Sequence, residues 1–467
     1  MNTRPPDVVL VVWDTVRAAD VSLYADGPRT TPLLERLAER STTYARATSV
    51  APWTLPSHAS LFTGLLPTQH GANETHYRLE PGRATLAEVL RERGYETVAV
   101  CANDMVSRPA GLGRGFARFQ LLRDVLPSVQ DDPRTPRLLR AALGRANKVY
   151  GRHGRFRHDH GAARANARVD RALSRIPADR PVFLFVNVLD AHLPYAPPEP
   201  FRSRFLPSGM TAQEALGVNQ SPKAFWLHET EMSERDFAGL RGLYRGEIAY
   251  LDARLGELIR VLHRHGRWDR AAFALTSDHG ENIGDHGLMD HQASVHETLL
   301  GVPLVLKDPG QREGVRSDAI VQVHDLGPTL LERAGASFPE PVHAQPLPTN
   351  GDGVAREAVV GEYLAFFPSL DIVRKQLPEA DLDVLDRGFR SARDANDVKL
   401  IVDTRGAEEL FDLRADPGET TNLAAERPDD VARLRSHLPD WSGVSARAPD
   451  RVEEEIEEHL RSLGYVD

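Results

Sequence analysis

The segment from Ser49 to Gly64, SVAPWTLPSHASLFTG, presents an alcohol, Thr54, at the start of a short apolar helix that Pro56 helps to open and Gly64 closes. A hydroxyl at the positive end of a helix dipole stands where incoming negative charge is favoured, which is the setting of a nucleophile. Taken alone, Thr54 is better explained as a helix cap, because Ser and Thr before a proline in the first helical turn are common in that role. Three other places in the chain decide between the two. The apolar run at 8–13 ends in Asp14, followed by Thr15 and Arg17. The run at 182–189 leads into Asp190, Ala191 and His192. The run at 271–277 leads into Asp278, His279, Gly280 and Glu281, with Asp285, His286, Asp290 and His291 close behind.

Asp14, Asp278 and His279, with the Thr54 hydroxyl, make a set of hard-to-borderline ligands that leaves a position for substrate, the donor set of a catalytic divalent ion. One imidazole among the ligands favours Mn or Zn; Ca, whose sites are usually all oxygen, remains admissible. A second ion held through Asp190, His192, His286 or His291 is the less favoured arrangement.

Such residues need a scaffold that brings distant strand ends together. Short apolar runs at 8–13, 97–101, 182–189, 271–277 and 302–306 alternate with helical patterns, which predicts a mainly parallel sheet buried between helix layers. In such folds the functional groups gather where the strands end. Thr31-Pro32 starts one helix; Thr85 with Glu88 forms a capping box for another that Gly94 ends; a longer one spans about 245–264, with Ile248, Leu251, Leu255, Leu258, Ile259 and Leu262 on one face. A segment rich in Arg and His, about 105–180, is expected to be an inserted cap or lid, and its His153, His158 and His160 are better explained as part of a solvated basic face than as a metal cluster. A further helix at 325–335 and a Pro-rich stretch are followed by segments that alternate like short antiparallel strands, and the chain ends in a charged amphipathic helix. The expected division is a catalytic domain over 1–340 and a C-terminal subdomain over 341–467.

With 467 residues the chain can bury a large core. Its formal charge of -10 argues against a nucleic-acid partner. The one cysteine, Cys101, cannot form an internal disulfide and reads as a buried strand thiol. The apolar run behind the N-terminus is too short for a signal segment or a membrane span, so a soluble, cytoplasmic protein is expected. No pattern bears on oligomeric state.

Taken in order, these segments resemble the alkaline phosphatase superfamily in its sulfatase branch. VVWDTVRAAD resembles the N-terminal metal strand, and WTLPSHASLFTGLLPTQHG resembles the nucleophile signature C/S-x-P-S-R with its helix. LDAHLPYAPP, TSDHGENIGDHG, VQVHDLGPTLLERAG, ELFDLRADPGETTNL and the terminal LGY continue the series. The resemblance covers nearly the whole chain apart from the insert and a stretch around 200–240. It implies an alkaline-phosphatase-like sheet between helices, a smaller C-terminal α+β domain with an antiparallel sheet, and a metal-dependent ester hydrolase.

The departures bear on substrate. Sulfatases oxidise Cys or Ser to formylglycine, whereas Thr54 carries a methyl on its β-carbon and could yield only a ketone, so no formylglycine is expected. Threonine is instead the nucleophile type of the superfamily's phosphodiesterases and of its phosphoglycerol and phosphoethanolamine transferases. His58 stands for the signature Arg, Asn103 stands near a usual Lys, His291 stands for another Lys, and Thr15 replaces a second metal Asp. Two carboxylates and a Thr alkoxide against one divalent ion leave about one net negative charge, which suits a singly charged ester better than a phosphomonoester.

The expected mechanism has Thr54 attack phosphorus or sulfur in line while His192 or His291 protonates the leaving oxygen. Asn103, His58 and Arg17 are the substrate-binding candidates; Asn103 is equally explained as a turn residue and Arg17 as an ion-pair partner. The substrate is a small anionic ester, free or carried on a glycan or lipid headgroup. The reading favoured is a phosphodiester or related phosphoester hydrolase; a sulfate-ester hydrolase without formylglycine, a phospho-group transferase and a binding pseudoenzyme are the alternatives.

Overall fold

The computed structural model describes residues 4–74, 76–122, 161–226, 228–348, 356–364 and 387–441. His153, His158, His160, residues 123–160 of the expected insert and the expected terminal helix lie outside these residues.

The main sheet contains β1 (Asp7–Trp13), β2 (Thr42–Thr48), β3 (Glu96–Cys101), β4 (Arg118–Leu121), β5 (Val182–Val188) and β6 (Ala271–Ser277). A small hairpin of β7 (Asn282–Ile283) and β8 (Met289–Asp290) follows, and β9 (Gly301–Val302), β10 (Leu304–Lys307) and β11 (Val315–Gln322) return to the main sheet. Across that sheet the order is β11-β2-β10-β6-β1-β5-β3-β4, with β9 paired to β2. The run β6-β1-β5-β3-β4 is parallel throughout, and β10 lies antiparallel between β6 and β2. Large mainly parallel sheets bury both faces, and β1 shows why its sequence is apolar without interruption. Val8, Leu10 and Val12 join the core on one side, and Val9, Val11 and Trp13 join the core on the other. Cys101 is fully buried in β3.

The register of the central strands places the chemistry. Trp13 pairs with Val188 on one side and Ser277 on the other, so the residues that follow, Asp14, Leu189 and Asp278, emerge together at one sheet edge. Three strands carried no clear periodic signal in the sequence. β2 (TTYARAT) and β11 (VRSDAIVQ) are polar runs, and β4 has only four residues. Of the helices, Leu86–Glu92 has the expected Thr85–Glu88 capping box, with Gly94 at φ +85° just beyond it. The long helix runs over Glu234–Arg264, starting eleven residues earlier than its apolar face suggests because Ser233 and Asp236 form a capping box there.

The helix Thr54–Thr63 is buried over its whole length, and its polar side chains are paired: Ser57 with the Asp278 carbonyl, His58 with the Thr54 carbonyl, Ser60 with His70 and Thr63 with the Ala59 carbonyl. Phe62 stacks edge-on against Phe185 of β5, with ring centroids 4.9 Å apart. A second, antiparallel sheet is built from β12 (Ala358–Tyr363), β13 (Phe389–Asp394), β14 (Val398–Asp403) and β15 (Glu408–Asp412) in sequential order. Its Val360, Leu400 and Val402 share an apolar cluster with Val50, Ala51 and Leu66, and the Glu362 amide donates to the Val50 carbonyl at 2.9 Å. The sheet is thereby packed against the loop that leads to Thr54.

Candidate active site

Two serines couple the loop and helix carrying Thr54 to the end of β6. Ser49 and Ser57 both donate to the Asp278 carbonyl, Ser57 at 2.7 Å. The cap of the helix is Trp53, in extended conformation, and Thr54 is the first helical residue. Trp53 is anchored through its indole, which donates to Glu74 Oε1 at 2.6 Å, while the Leu364 amide donates to Glu74 Oε2 at 3.2 Å. Burial pushes the Glu74 carboxyl up to about 7. Thr54 Oγ1 lies 3.2 Å from Asn103 Nδ2 and 3.4 Å from His279 Nε2. A threonine serving only as a cap would satisfy its own helix; this hydroxyl instead faces groups from two strand ends.

Asp14 follows β1, and the turn after it is held in an uncommon conformation, Thr15 having φ +59°. For a β-branched residue that backbone is strained. Three bonds hold it: Thr15 Oγ1 donates to the Ala191 carbonyl at 2.7 Å, Tyr244 donates to the Thr15 carbonyl at 2.6 Å, and the Thr15 amide donates to Asp278 Oδ1 at 3.3 Å. Asp14 Oδ2 accepts from Asn103 Nδ2 at 2.9 Å and from Asn187 Nδ2 at 3.3 Å, and Asn187 Oδ1 accepts the Asn103 amide at 3.0 Å. Asn187 lies inside the apolar run of β5 and was not singled out from the sequence. A fully buried polar residue in such a run was the available signal.

His279 donates from Nδ1 to the Gly280 carbonyl at 2.9 Å, which in the neutral ring leaves the lone pair on Nε2. Nε2 faces Thr54 and Asp278 Oδ2, the latter at 3.5 Å. Burial, then the neighbouring His291, holds the His279 pKa well below the usual histidine value, so the ring is an uncharged donor at neutral pH. The backbone here passes close to its neighbour: a Cβ on Gly280 would meet the Thr298 carbonyl oxygen at 2.1 Å. Only glycine fits.

Asp14, Asp278 and His279 are buried, and one ligand atom from each lies within 4.8 Å of the others. Asp14 Oδ1 and Asp278 Oδ2 are buried without a hydrogen-bond partner. Burial, and then the proximity of Asp14, raises the Asp278 carboxyl well above the carboxylate range. Two buried carboxylates, each with an unused oxygen, beside a histidine whose lone pair is presented to them, form a cluster short of positive charge. These residues fit a divalent cation.

The sulfatase family model matches residues 6–336. The chain belongs to the sulfatase family. It is an ester hydrolase of the alkaline phosphatase superfamily, whose sulfatase members are metal-dependent. Among its relatives is the multifunctional alkaline phosphatase superfamily protein PehA of Trinickia caryophylli, 24% identical over 92% of this chain and 93% of that one. The choline-sulfatase of Rhizobium meliloti is 27% identical over 91% of this chain and 83% of that one. The phosphonate monoester hydrolase of Agrobacterium radiobacter superposes with a TM-score of 0.69 at 21% identity, over 94% of this chain and 97% of that structure, which shows a common fold. No helix among the described residues is long and apolar enough to cross a membrane.

The remaining candidate residues of this sulfatase-family chain surround the cluster. His192 and His291 are buried with ring centroids 5.0 Å apart, and the His279 ring is 4.5 Å from His291. His291 Nδ1 lies 2.6 Å from Asp290 Oδ1 and 3.3 Å from Glu281 Oε1. Burial alone would depress the His291 pKa, but the Asp290 and Glu281 carboxylates outweigh it and hold the value well above normal. His58 sits beneath the cluster: its Nδ1 donates to the Thr54 carbonyl at 2.8 Å and lies 3.4 Å from Asp278 Oδ2, and its ring packs edge-on against Phe185. Arg17 is buried between Asp20 and Asp285, 2.9 Å from the latter, and also donates to the Glu281 carbonyl. Asp190 Oδ2 accepts from the Ala162 amide at 3.1 Å.

Proposed function

We propose that this chain hydrolyses singly charged phosphoesters, namely phosphodiesters and phosphonate monoesters, with unmodified Thr54 as the nucleophile. The observation that carries the reading is the convergence of Asn103 Nδ2 and His279 Nε2 on Thr54 Oγ1, beside two carboxylates with unused oxygens. A divalent ion held by Asp14, Asp278, His279 and the Thr54 oxygen, Mn or Zn by the imidazole in the set, would supply the charge that acidifies the hydroxyl and offsets the ester's own charge. Asn103 keeps Oγ1 aimed at the reacting atom by donating to it. Thr54 gives up its proton to solvent and its oxygen attacks in line; the bond to the leaving oxygen breaks as an imidazolium at His291, held by Asp290 and Glu281, gives that oxygen its proton, with His192 as the neighbouring alternative. The neutral imidazole then takes a proton from the water that releases Thr54.

Arg17 and His58 act at one remove in this scheme. The Arg17 guanidinium is engaged with Asp20, Asp285 and the Glu281 carbonyl, so it fixes the backbone leading to Glu281. His58 supports Asp278 and the first turn of the helix. No Lys or Arg side chain among the described residues pairs with Asp14, Asp278, Glu281 or Asp290. That lack of cations supports a singly charged substrate, because a phosphomonoester dianion needs more positive partners. The phosphonate monoester hydrolase of Agrobacterium radiobacter is, by its name, a structural neighbour that acts on such an ester. The test is one preparation assayed on aryl phosphodiester, phosphonate monoester, phosphomonoester and sulfate. The diester or phosphonate is expected to be turned over fastest, and a preference for the monoester or the sulfate refutes the assignment.

A further inference from the structure

Beside the Thr54 site lies a second group of buried ligating side chains that the scheme above uses only as the seat of a proton. One ligand atom from each of Glu281, Asp290 and His291 lies within 4.8 Å of the others, and all three residues are buried. The small hairpin creates the grouping. Asn282 pairs with Asp290 and Ile283 with Met289, so Glu281 and His291 flank the last pair of the ribbon and are brought face to face.

The cluster is incomplete as it stands. Glu281 Oε2 is buried with no hydrogen-bond partner, although the residue is fully enclosed. Among the described residues, the ion pairs of Glu281 and Asp290 are both with His291, so one imidazole serves two buried carboxylates. Arg17, which reaches across from the segment after β1, is already engaged with Asp20 and Asp285 and touches Glu281 through its backbone carbonyl. A buried carboxylate oxygen with no partner is costly. The donor set repeats that of the first cluster, two carboxylates and one imidazole, and it leaves positions for solvent or substrate oxygens.

We infer that Glu281, Asp290 and His291 form a second divalent-cation site, taking Mn or Zn, adjacent to the one at Asp14, Asp278 and His279. The inference deepens the proposed function and rests on it for its role in turnover. An ion here would neutralise the two carboxylates and put a second positive centre beside the reacting ester, an arrangement known from two-metal phosphoesterases in general. His291, once a ligand, would no longer carry the proton, and His192 would be left as the imidazole that serves the leaving oxygen. The ion adds two charges and displaces one proton, so the formal charge of this cluster would rise from about -1 to about 0, which still leaves no excess positive charge to draw a phosphomonoester dianion.

The test is equilibrium dialysis of chelator-stripped full-length protein against Mn, with bound metal counted per chain and the Mn electron paramagnetic resonance spectrum recorded. The wild type is expected to bind about two ions and to show a spin-coupled pair, as neighbouring sites in two-metal centres do. Asp290→Asn and Glu281→Gln are each expected to lose about one ion while Asp14→Asn loses the other, every variant being checked by circular dichroism. About one uncoupled ion in the wild type, lost in Asp14→Asn and kept in Asp290→Asn, overturns the second site and leaves the first intact. Two ions that persist in both hairpin variants also overturn it. No bound ion in the wild type overturns both sites, and with them the proposed function. The wild-type spectrum decides the matter if a variant fails to fold.

Discussion

Asn103 ties Thr54 to Asp14: its Nδ2 lies 3.2 Å from Thr54 Oγ1 and 2.9 Å from Asp14 Oδ2, so the two hydrogens of one amide serve the nucleophile and a metal-ligand candidate together. Its own backbone amide is held by Asn187, which also donates to Asp14. Asn103→Ala should therefore lower kcat/KM on a phosphodiester by on the order of 10–100-fold, the usual cost of removing a partner that orients first ligands. Activity within twofold of wild type would show that the amide neither positions Thr54 nor steadies Asp14.

The chemistry assigned to Thr54 needs its side chain unmodified. The tryptic peptide spanning Thr54 should have the mass of its encoded sequence, and Thr54→Ser should keep measurable turnover because the hydroxyl and its partners remain. An oxidised Thr54, or activity that appears only on coexpression with a formylglycine-generating enzyme, would contradict the assignment.

Glu74 connects pH to the stability of the loop before the nucleophile. Its folded pKa of about 7 lies above the ordinary carboxylate value, and the cause is burial. Since an unfolded glutamate has a pKa of about 4.3, the folded state retains a proton that the unfolded chain has lost between the two values. The stabilisation from this group is complete below the unfolded value, declines as pH rises, and is gone above about 7. Glu74→Gln removes that dependence, so its stability relative to wild type should improve by on the order of 3 kcal/mol between pH 4 and pH 8. Urea unfolding of both proteins across that range measures it, and parallel curves would refute it.

Much of this was legible in the sequence because it rests on strong local patterns. The five apolar runs marked strands, and four of them lie in the main sheet beside β1, whose register then brings Asp14 and Asp278 to one edge. The strands that escaped notice, β2, β4 and β11, are polar or short and hold their places through pairing with neighbours rather than through a pattern of their own. The same distinction runs through the site. Asp14, Thr54, Asp278 and His279 stood at element ends where their types were conspicuous. The closeness of Glu281 to His291 depends on a hairpin of two residues per strand, too short to announce itself. Likewise, Glu74 lies 21 positions from Trp53, and no sequence pattern shows that it holds the indole.

The central claim is that the Thr54 oxygen is the atom that attacks. Its most direct test is kcat/KM of Thr54→Ala on an aryl phosphodiester, measured with bound metal and folding verified in the same preparation. The account predicts a loss on the order of 10⁴-fold or more, as for removal of a covalent nucleophile, with metal and fold retained. A loss of less than about tenfold would contradict it and assign the attack to another group or to water.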